Sequence, residues 1–382
     1  MNILYLSDVS LDIIGGAQES MKVVMDGLAD RYNFSIITPC NDKQYKYNVS
    51  ELTGYKNLSL RGKGILDIIK IIGRIKKIIE NNKIDIIHVQ MPATMLLIGI
   101  MKNLRMIDNN IIIIYTDRGV LNKYGKKTYY GIKKFSKYFS KIILTTNYNM
   151  NLYKNYINIK EEKLSLINNT AGNMFEKYYP EIRENMRTEL NFTKDDTVIM
   201  FAGRMNKDKN WPLALEIIRD ICKIKNTKII MALGSNKTNK NIQECMELIK
   251  EASAYTGEEN LRGFIDIPLI KMNELYYSSD IFILTSKVES FGRTAIEAMS
   301  RKNAVFGTNV DGLKEVIGFS DNIYEQKKEV LDKIKKIIYN KELLESEKEK
   351  FYLRFKENFG LEKTCNYTMN YMIFLGKGGV VF

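Results

Sequence analysis

The feature that most limits how this chain can fold is a regular alternation of short apolar runs with longer helical patterns. In the first half, runs rich in Ile, Val and aromatic residues occur at residues 2–8, 34–38, 84–90, 111–117 and 141–146, with helical patterns such as 65–81 between them. Strands separated by crossover helices form parallel pairs, so the alternation predicts an α/β fold with doubly wound parallel sheets. The pattern starts again at residues 197–202, and 382 residues are more than one core of average size needs, so two domains are expected.

Composition argues against several kinds of chemistry. The four cysteines, Cys40, Cys222, Cys245 and Cys365, are scattered without any Cys-x-x-Cys spacing, which disfavours a disulfide framework or a zinc site. One histidine is too few for a site built from several His ligands. No Asp-x-Asp string occurs, so the usual carboxylate pair for a bridging divalent metal is missing and a metal-independent protein without a cofactor is expected.

No targeting or membrane-spanning segment is recognisable. The chain begins directly with a strand-like run instead of a basic and then apolar leader, and the longest nearly apolar run, residues 91–101, is too short to span a bilayer. We therefore expect a cytoplasmic protein that is not integral to the membrane.

Positive charge is concentrated in the first half. Of the net charge of +13, residues 1–180 carry 26 Lys and Arg against 15 Asp and Glu, whereas the remainder is nearly balanced. Residues 118–141 contain eight basic residues and no acid, interleaved with tyrosines and phenylalanines. Such a segment predicts a basic amphipathic helix that lies on an anionic membrane surface or holds a lipid-linked or polyanionic acceptor. A merely solvated helix stays open; nucleic acid is disfavoured, because no nucleic-acid motif accompanies the segment.

The stretch 286–300 carries the clearest chemical signal. A strand is followed by a turn that ends in Gly292 and by a helix that opens at Arg293, a geometry that offers backbone N–H groups to a phosphate. Glu289 lies in the turn and Glu297 in the helix, so one carboxylate is expected beside the phosphate and the other near a hydroxyl-rich group such as a ribose. The alternative is an ordinary surface glutamate and an ordinary helix-forming glutamate.

A second motif follows the strand at 197–202. Gly203 ends that strand, and Arg204 and Lys209 lie five residues apart in the loop after it. A guanidinium can bind phosphate oxygens in a bidentate way and an ammonium adds a mobile point charge, which together suit a diphosphate. Solvated surface cations are the alternative.

The string Glu-x-Phe-Gly at residues 289–292, followed by Glu-Ala-Met at 297–299, resembles the signature of the family-4 retaining glycosyltransferases. This resemblance implies the GT-B fold, in which two Rossmann-like domains with doubly wound parallel sheets face each other across a cleft. It places an acceptor-binding domain at residues 1–175 and a nucleotide-sugar-binding domain at 176–360. A final helix within 361–382 would cross back to the first domain.

The resemblance also implies roles for individual residues. It makes Glu289, Arg204, Lys209 and Asp117 the catalytic set, and the donor site would comprise Gly16, Gly203, Arg204, Lys209, Ile265, Glu289, Ser290, Phe291, Gly292 and Glu297. The acceptor side would comprise Gly15, Gly16, His88 and Arg118. The histidine that usually ends the strand at 111–117 is absent, so Asp117 or Arg118 is expected in its place. For His88, a hydrogen-bonded strand-end histidine is the alternative.

The expected function is transfer of a sugar, with retention at the anomeric carbon, from a nucleotide sugar to a glycan, lipid-linked or polyanionic acceptor. A UDP sugar is expected first and a GDP sugar second. The resemblance points to synthesis of bacterial surface glycans or glycolipids, at the inner face of the plasma membrane. Two alternatives remain: a nucleotide-sugar epimerase of the same fold, and a non-catalytic module that binds nucleotide sugars or glycans.

Overall fold

The computed structural model describes residues 1–11, 16–39, 45–60 and 62–376, with side chains for all of these except 16–17 and 369–376. The chain divides into two compact units. The first comprises Met1–Asn169 together with Leu361–Phe382, and the second comprises Thr170–Gly360. The division falls six residues before the boundary expected from the sequence, and the last segment belongs to the first unit.

The first domain is built on a seven-stranded sheet in which every pair of neighbours is parallel. The strands, in chain order, are β1 (Asn2–Leu6), β2 (Asn33–Thr38), β3 (Asn48–Glu51), β4 (Ile86–Val89), β5 (Ile112–Asp117), β6 (Lys141–Leu144) and β7 (Leu164–Leu166). Their order in the sheet is β3-β2-β1-β4-β5-β6-β7. The order reverses beside β1, and in open parallel sheets such a reversal marks the place where ligands bind.

Helices cover both faces of this sheet because its strands are apolar on both sides. The helices are α1 (Gly16–Leu28), α2 (Ile65–Asn81), α3 (Pro92–Asn103), α4 (Lys126–Phe135), α5 (Asn147–Leu152) and, from the end of the chain, α14 (Leu361–Gly376). Helices α1 and α14 share one apolar cluster with Ile3 and Tyr5 of β1. Helices α2 to α4 share the other cluster with Leu4 and Leu6.

The basic amphipathic helix expected within 118–141 is present as α4 with its lysines exposed, but it is shorter than that range and most of the aromatic side chains do not form an exposed face. Helix α4 has only ten residues and is flanked by short 3-10 turns at Leu121–Lys123 and Ser136–Tyr138. Phe135 and Phe139 are buried in the core, and Tyr124, Tyr129 and Tyr138 pack against it. Most of the aromatic side chains expected on a membrane-facing surface therefore belong to the core of the first domain.

The second domain repeats the architecture with a six-stranded parallel sheet of order β10-β9-β8-β11-β12-β13. The strands are β8 (Thr197–Arg204), β9 (Thr227–Gly234), β10 (Leu261–Ile265), β11 (Ile281–Leu284), β12 (Ala304–Thr308) and β13 (Ile323–Tyr324). The helices are α6 (Pro180–Glu189), α7 (Trp211–Ile221), α8 (Asn239–Thr256), α9 (Leu269–Ser278), α10 (Arg293–Met299), α11 (Leu313–Ile317), α12 (Lys327–Ile338) and α13 (Lys341–Asn358). The two parallel, helix-covered sheets confirm the expected α/β fold with two Rossmann-like domains.

Buried charges fix the start of the second domain. Asp280, just before β11, pairs with Arg187 of α6 at 2.5 Å and with Lys348 of α13 at 3.4 Å. These cations hold the pKa of Asp280 low, at about 2, against the opposing effect of burial. Arg301 is almost fully buried and donates to the backbone carbonyls of Phe175 and Lys177.

Candidate functional site

The sequence motifs of the second half converge at one edge of the second sheet. Because all its strands are parallel, their carboxyl ends lie together. Arg204 ends β8 and Ile265 ends β10, while the Glu289 turn follows β11 and the turn at 309–312 follows β12. The second-domain residues expected to hold a nucleotide sugar therefore lie along one edge of this sheet, although they are spread over about a hundred positions of the chain.

Glu289 is held on both of its carboxylate oxygens. Its Oε2 forms an ion pair with Nζ of Lys209, and its Oε1 accepts a 3.2 Å hydrogen bond from the backbone N–H of Gly292. The side chain is only 15% exposed. The backbone of Glu289 is held as well, since its N–H donates to Oδ2 of Asp311 at 3.1 Å and its carbonyl accepts from the N–H of Gly312. The carboxylate thus lies at a defined place beside a cation and a turn.

The loop that carries Arg204 and Lys209 is joined to the Glu289 turn by two hydrogen bonds to its backbone carbonyls. The Thr285 hydroxyl donates to the carbonyl of Lys209 at 2.8 Å, and the Lys287 N–H donates to the carbonyl of Asp208 at 2.7 Å. A Cβ at Gly203 would lie 3.2 Å from the Lys209 side chain, so the lysine methylenes lie over that glycine. The side chain of Arg204 is exposed at the same edge.

The turn before α10 requires a glycine at position 292. Its φ is +86°, and a Cβ there would lie 2.7 Å from Cδ1 of Leu313. Glycine alone adopts such a φ without strain, which explains the residue at the point where the turn enters α10. Phe291 beside it is buried and packs edge-on against Phe359, so only its backbone is available to a ligand. Ser290, in the same turn, is partly exposed.

Glu297, the second carboxylate of the motif, is buried within α10. Its Oε1 lies 3.1 Å from Nε of Arg293, one helical turn earlier, and its Oε2 accepts from the Tyr276 hydroxyl at 3.2 Å. Burial and the adjacent carboxylate raise the pKa of Tyr276 well above its usual range, which keeps this hydroxyl a donor. Arg293 also donates to the carbonyl of Ala171. The expected contact of Glu297 with a ribose stays a prediction.

Ile265 lies where the carboxyl ends of β9 and β10 meet. The following residue, Asp266, accepts a 2.7 Å hydrogen bond from the N–H of Ser235, which comes directly after β9. This bond fixes the two strand ends beside each other. The expected contact of Ile265 with a nucleotide base stays a prediction as well.

At the carboxyl edge of the first sheet, Arg118 follows β5. Its Nε donates to Oε1 of Gln90 at 2.9 Å, and its guanidinium bonds to Oδ1 of Asn169. Gln90 follows β4, so the arginine spans neighbouring strand ends. Gly16 begins α1 after β1, at the reversal of strand order, while Gly15 lies outside the described residues.

The assignment of His88 to the acceptor side is wrong. The residue is 2% exposed, and both ring nitrogens are engaged, Nδ1 with the Tyr5 hydroxyl at 2.9 Å and Nε2 with the Thr116 hydroxyl at 2.7 Å. Burial, assisted by the charge of Arg118, lowers the pKa of His88 to about 3. The ring is a neutral, hydrogen-bonded part of the core, as the alternative interpretation held.

Asp117 is likewise wrong as a replacement for the family histidine. It is fully buried; Oδ1 accepts from the Gly119 N–H and the Tyr124 hydroxyl, and Oδ2 accepts from the Tyr153 hydroxyl at 2.6 Å. Successive residues of a strand point to opposite faces of the sheet. The side chain of Asp117 points to the face on which these tyrosines lie. Arg118 is then the remaining candidate for that place.

Asp311 is a site residue that sequence reasoning did not assign. It adopts a left-handed φ of +39°, a backbone conformation that favours glycine. Its carboxylate accepts a hydrogen bond from the backbone N–H of Glu289. The signal available in the sequence was the string Asp311-Gly312 after β12, since Asp-Gly strings mark turns.

In the part of the chain that the structure describes, no three His, Cys, Asp or Glu side chains converge so as to hold a metal ion. Nor does any helix of those residues have the length and apolar character needed to cross a bilayer.

Two family models match the chain in order, Glycosyltransferase Family 4 over residues 14–170 and Glycosyl transferases group 1 over residues 182–354. A lipopolysaccharide 1,2-N-acetylglucosaminetransferase of Salmonella typhimurium is 26% identical over 145 residues, 37% of this chain and 38% of that protein. The capsular polysaccharide biosynthesis glycosyltransferase CapM of Staphylococcus aureus is 26% identical over 198 residues, 49% of each chain. The chain spans 31–38% of the length of the first curated relatives it matches.

Among solved structures, Anabaena HepE in complex with UDP and glucose superimposes with a TM-score of 0.78 at 14% identity, covering 97% of this chain and 99% of that one. At this identity the likeness concerns the fold. Taken with the two family matches and the two Rossmann-like domains, it confirms the resemblance seen in the sequence: the chain belongs to the family-4 glycosyltransferases of GT-B fold.

Proposed function

We propose that this protein transfers a sugar from a nucleotide sugar, with UDP as the favoured nucleotide, to an acceptor in the synthesis of a bacterial surface glycan or glycolipid. The observation that carries the proposal is the Glu289–Lys209 pair, held at the carboxyl edge of the second sheet with Arg204 on the adjoining loop. The names of the Salmonella and Staphylococcus relatives support the glycan class, and the UDP and glucose bound to Anabaena HepE support the donor class.

The geometry gives each charged residue a task in this reaction. Negative charge grows on the diphosphate as the sugar leaves, and fixed cations stabilise that charge. Arg204 and Lys209 supply those cations, and the backbone near Phe291 and Gly292 offers N–H groups. An incoming diphosphate competes with Glu289 for Lys209, which frees a carboxylate oxygen of Glu289 for the hydroxyls of the donor sugar.

The stereochemistry and the metal requirement are part of the proposal. The acceptor attacks from the face of the leaving group, a diphosphate oxygen receives its proton, and the anomeric configuration is retained. The missing Asp-x-Asp string supports a reaction in which side-chain cations replace a bridging metal ion. On the acceptor side, the guanidinium of Arg118 suits a phosphate-bearing or otherwise anionic acceptor, including a lipid-linked one.

The first test is a thermal-shift panel of UDP, GDP, ADP and their common sugar conjugates, with and without EDTA. We expect a stabilising shift with UDP and its conjugates that the chelator leaves unchanged, because bound ligand stabilises the folded state by mass action. A shift that disappears in EDTA would contradict the metal-independent reaction. No shift with any nucleotide would overturn the proposed function in favour of a non-catalytic module that binds glycans.

Two variants separate catalysis from donor binding. Glu289→Ala should reduce turnover about a hundredfold or more while UDP affinity stays within about threefold, because the carboxylate acts on the sugar and not on the nucleotide. Arg204→Ala should impair both. Glu244→Ala, at a partly exposed glutamate on α8 outside the proposed site, serves as the matched control. Equal losses of turnover and UDP affinity in Glu289→Ala would contradict its assignment.

A further inference from the structure

The first turns of α2 expose a group of large apolar side chains. Ile65, Leu66 and Ile69, here called the α2 patch, are 78%, 74% and 58% exposed. Farther along the helix, the apolar residues that pack on the sheet are buried; these are Ile71, Ile72, Ile75 and Ile79. A helix that only covers a sheet needs one apolar stripe, so the α2 patch is apolar surface beyond what the core uses.

The surroundings of the α2 patch are strongly basic. Residues 52–78 contain seven Lys and Arg and one acid, Asp67. Lys70, Arg74 and Lys77 are exposed on the helix itself. Apolar side chains beside several cations suit the interface of a membrane with anionic lipids. A second copy of this chain would bring the same positive charge to the contact, which disfavours self-association through this surface.

The α2 patch lies toward the edge of the sheet that carries the acceptor-side residues. Helix α2 ends beside the amino edge, where the Asn2 side chain donates to the carbonyl of Asn82. Its 17 residues span about 25 Å, whereas the five residues of β1 span about 17 Å. The helix therefore extends past the strands, and its first turns reach the carboxyl edge at which Arg118 lies.

We propose that the α2 patch docks on an anionic membrane surface. Ile65, Leu66 and Ile69 enter the interface while Lys70 and Arg74 contact lipid headgroups. The proposal rests on the proposed function in one respect, since docking there presents the acceptor edge of the first domain to a lipid-linked acceptor. It also replaces the membrane contact expected through residues 118–141, most of whose aromatic side chains pack in or against the core.

Vesicle sedimentation with the full-length protein tests the proposal. Vesicles of equal parts phosphatidylglycerol and phosphatidylcholine should bind the protein, whereas phosphatidylcholine alone should bind it weakly, and added salt should reduce binding. Leu66→Glu with Ile69→Glu should weaken binding to anionic vesicles about tenfold or more. The matched control, Met246→Glu with Leu353→Glu, adds the same charge at exposed apolar positions of the second domain and should stay within about twofold of the original protein.

A second variant reports insertion directly. The indole introduced by Leu66→Trp should shift its emission to the blue on anionic vesicles and be quenched by brominated lipid, because it enters the interface. The chain's own tryptophan, Trp211, is 6% exposed in the second domain and provides an internal reference. An introduced indole that is not quenched would overturn the proposal.

Other outcomes would overturn it as well. These are failure of the original protein to bind anionic vesicles, equal losses in the control variant, and a concentration-dependent dimer that Leu66→Glu dissociates, which would make the α2 patch a self-interface. The UDP thermal shift, measured on every variant, separates the two proposals. Loss of vesicle binding with an intact UDP shift concerns docking alone, whereas an absent UDP shift with intact vesicle binding concerns the proposed function alone.

Discussion

His88 shows at the residue scale how burial decides the role of a side chain. The chain has one histidine, and its ring is enclosed between the hydroxyls of Tyr5 and Thr116. Burial lowers the pKa of His88 to about 3 in the folded state. As the pH falls below about 6.5, the histidine of the unfolded chain is therefore protonated while that of the folded chain stays neutral. Stability should therefore fall as the pH drops below about 6.5.

This effect can be isolated, since other side chains titrate little between pH 7 and 5.5. Urea unfolding of the first domain, followed by circular dichroism, should show about 1 kcal/mol less stability at pH 5.5 than at pH 7. His88→Gln, which keeps a donor and an acceptor, should remove this difference. The fluorescence transition of Trp211, in the second domain, should not respond to the substitution. A pH dependence that persists in His88→Gln would refute the assignment.

At the element scale, the turn after β12 supports the turn after β11. The carboxylate of Asp311 accepts a hydrogen bond from the N–H of Glu289. The backbone of Asp311 has a left-handed φ of +39°, a conformation that aspartate tolerates but glycine prefers. Asp311→Gly should relieve the backbone and lose this hydrogen bond. Turnover should then fall about tenfold while UDP affinity is kept, because the Glu289 carboxylate is less firmly placed.

The conservative variant makes this a test of positioning. Asp311→Asn retains an acceptor oxygen and the tolerance for positive φ, so it should restore most of the turnover. Steady-state kinetics and the UDP thermal shift, measured on both variants, provide the comparison. An Asn variant as impaired as the Gly variant would exclude the role of this hydrogen bond.

The elements also show which parts of the fold and of the site the sequence could predict, and why it could not predict the others. Strands buried on both faces, such as β5, read as continuous apolar runs, so the parallel sheets followed from local pattern. The pairing of Lys209 with Glu289 joins residues eighty positions apart, which no local pattern encodes. The aromatic side chains at 118–141 lie mostly in or against the core, contrary to expectation, because helical periodicity identifies an apolar face without saying whether a core or a membrane covers it.

The same limit applies to the side chains at strand ends. His88 lies one residue before the end of β4 and Asp117 ends β5, at the edge where ligands bind, and their chemistry suited a site. Both turn instead toward hydroxyl partners supplied by distant elements, Tyr5 for the histidine and Tyr153 for the aspartate. Arg204 and Glu289 do lie at the sheet edge, because Arg204 is the last residue of β8 and Glu289 lies in the turn after β11.

At the scale of the whole molecule, the last helix belongs to the domain that contains the first strand. In α14, Cys365 packs under Gly27 of α1, where a Cβ would lie 2.7 Å from its sulfur. The Thr364 hydroxyl donates to the carbonyl of Asn168 at 3.3 Å, at the end of the first unit. The first domain is therefore closed by residues about two hundred positions beyond its other elements, whereas Thr170–Gly360 contains its own core.

Removal of residues 361–382 should consequently weaken one domain and spare the other. Without α14, the apolar surface of α1 around Met25 and Leu28 becomes exposed, so the first domain should unfold several degrees lower, since about 1 kcal/mol corresponds to roughly 2–4 °C in domains of about 150–250 residues. Circular dichroism should show this as an early transition, while the fluorescence of Trp211 in α7 should report an unchanged second transition. The UDP shift should persist, because the proposed donor residues of the second domain lie within Thr170–Gly360. A truncated chain in which both signals shift together would show that α14 stabilises the whole molecule and not the first domain alone.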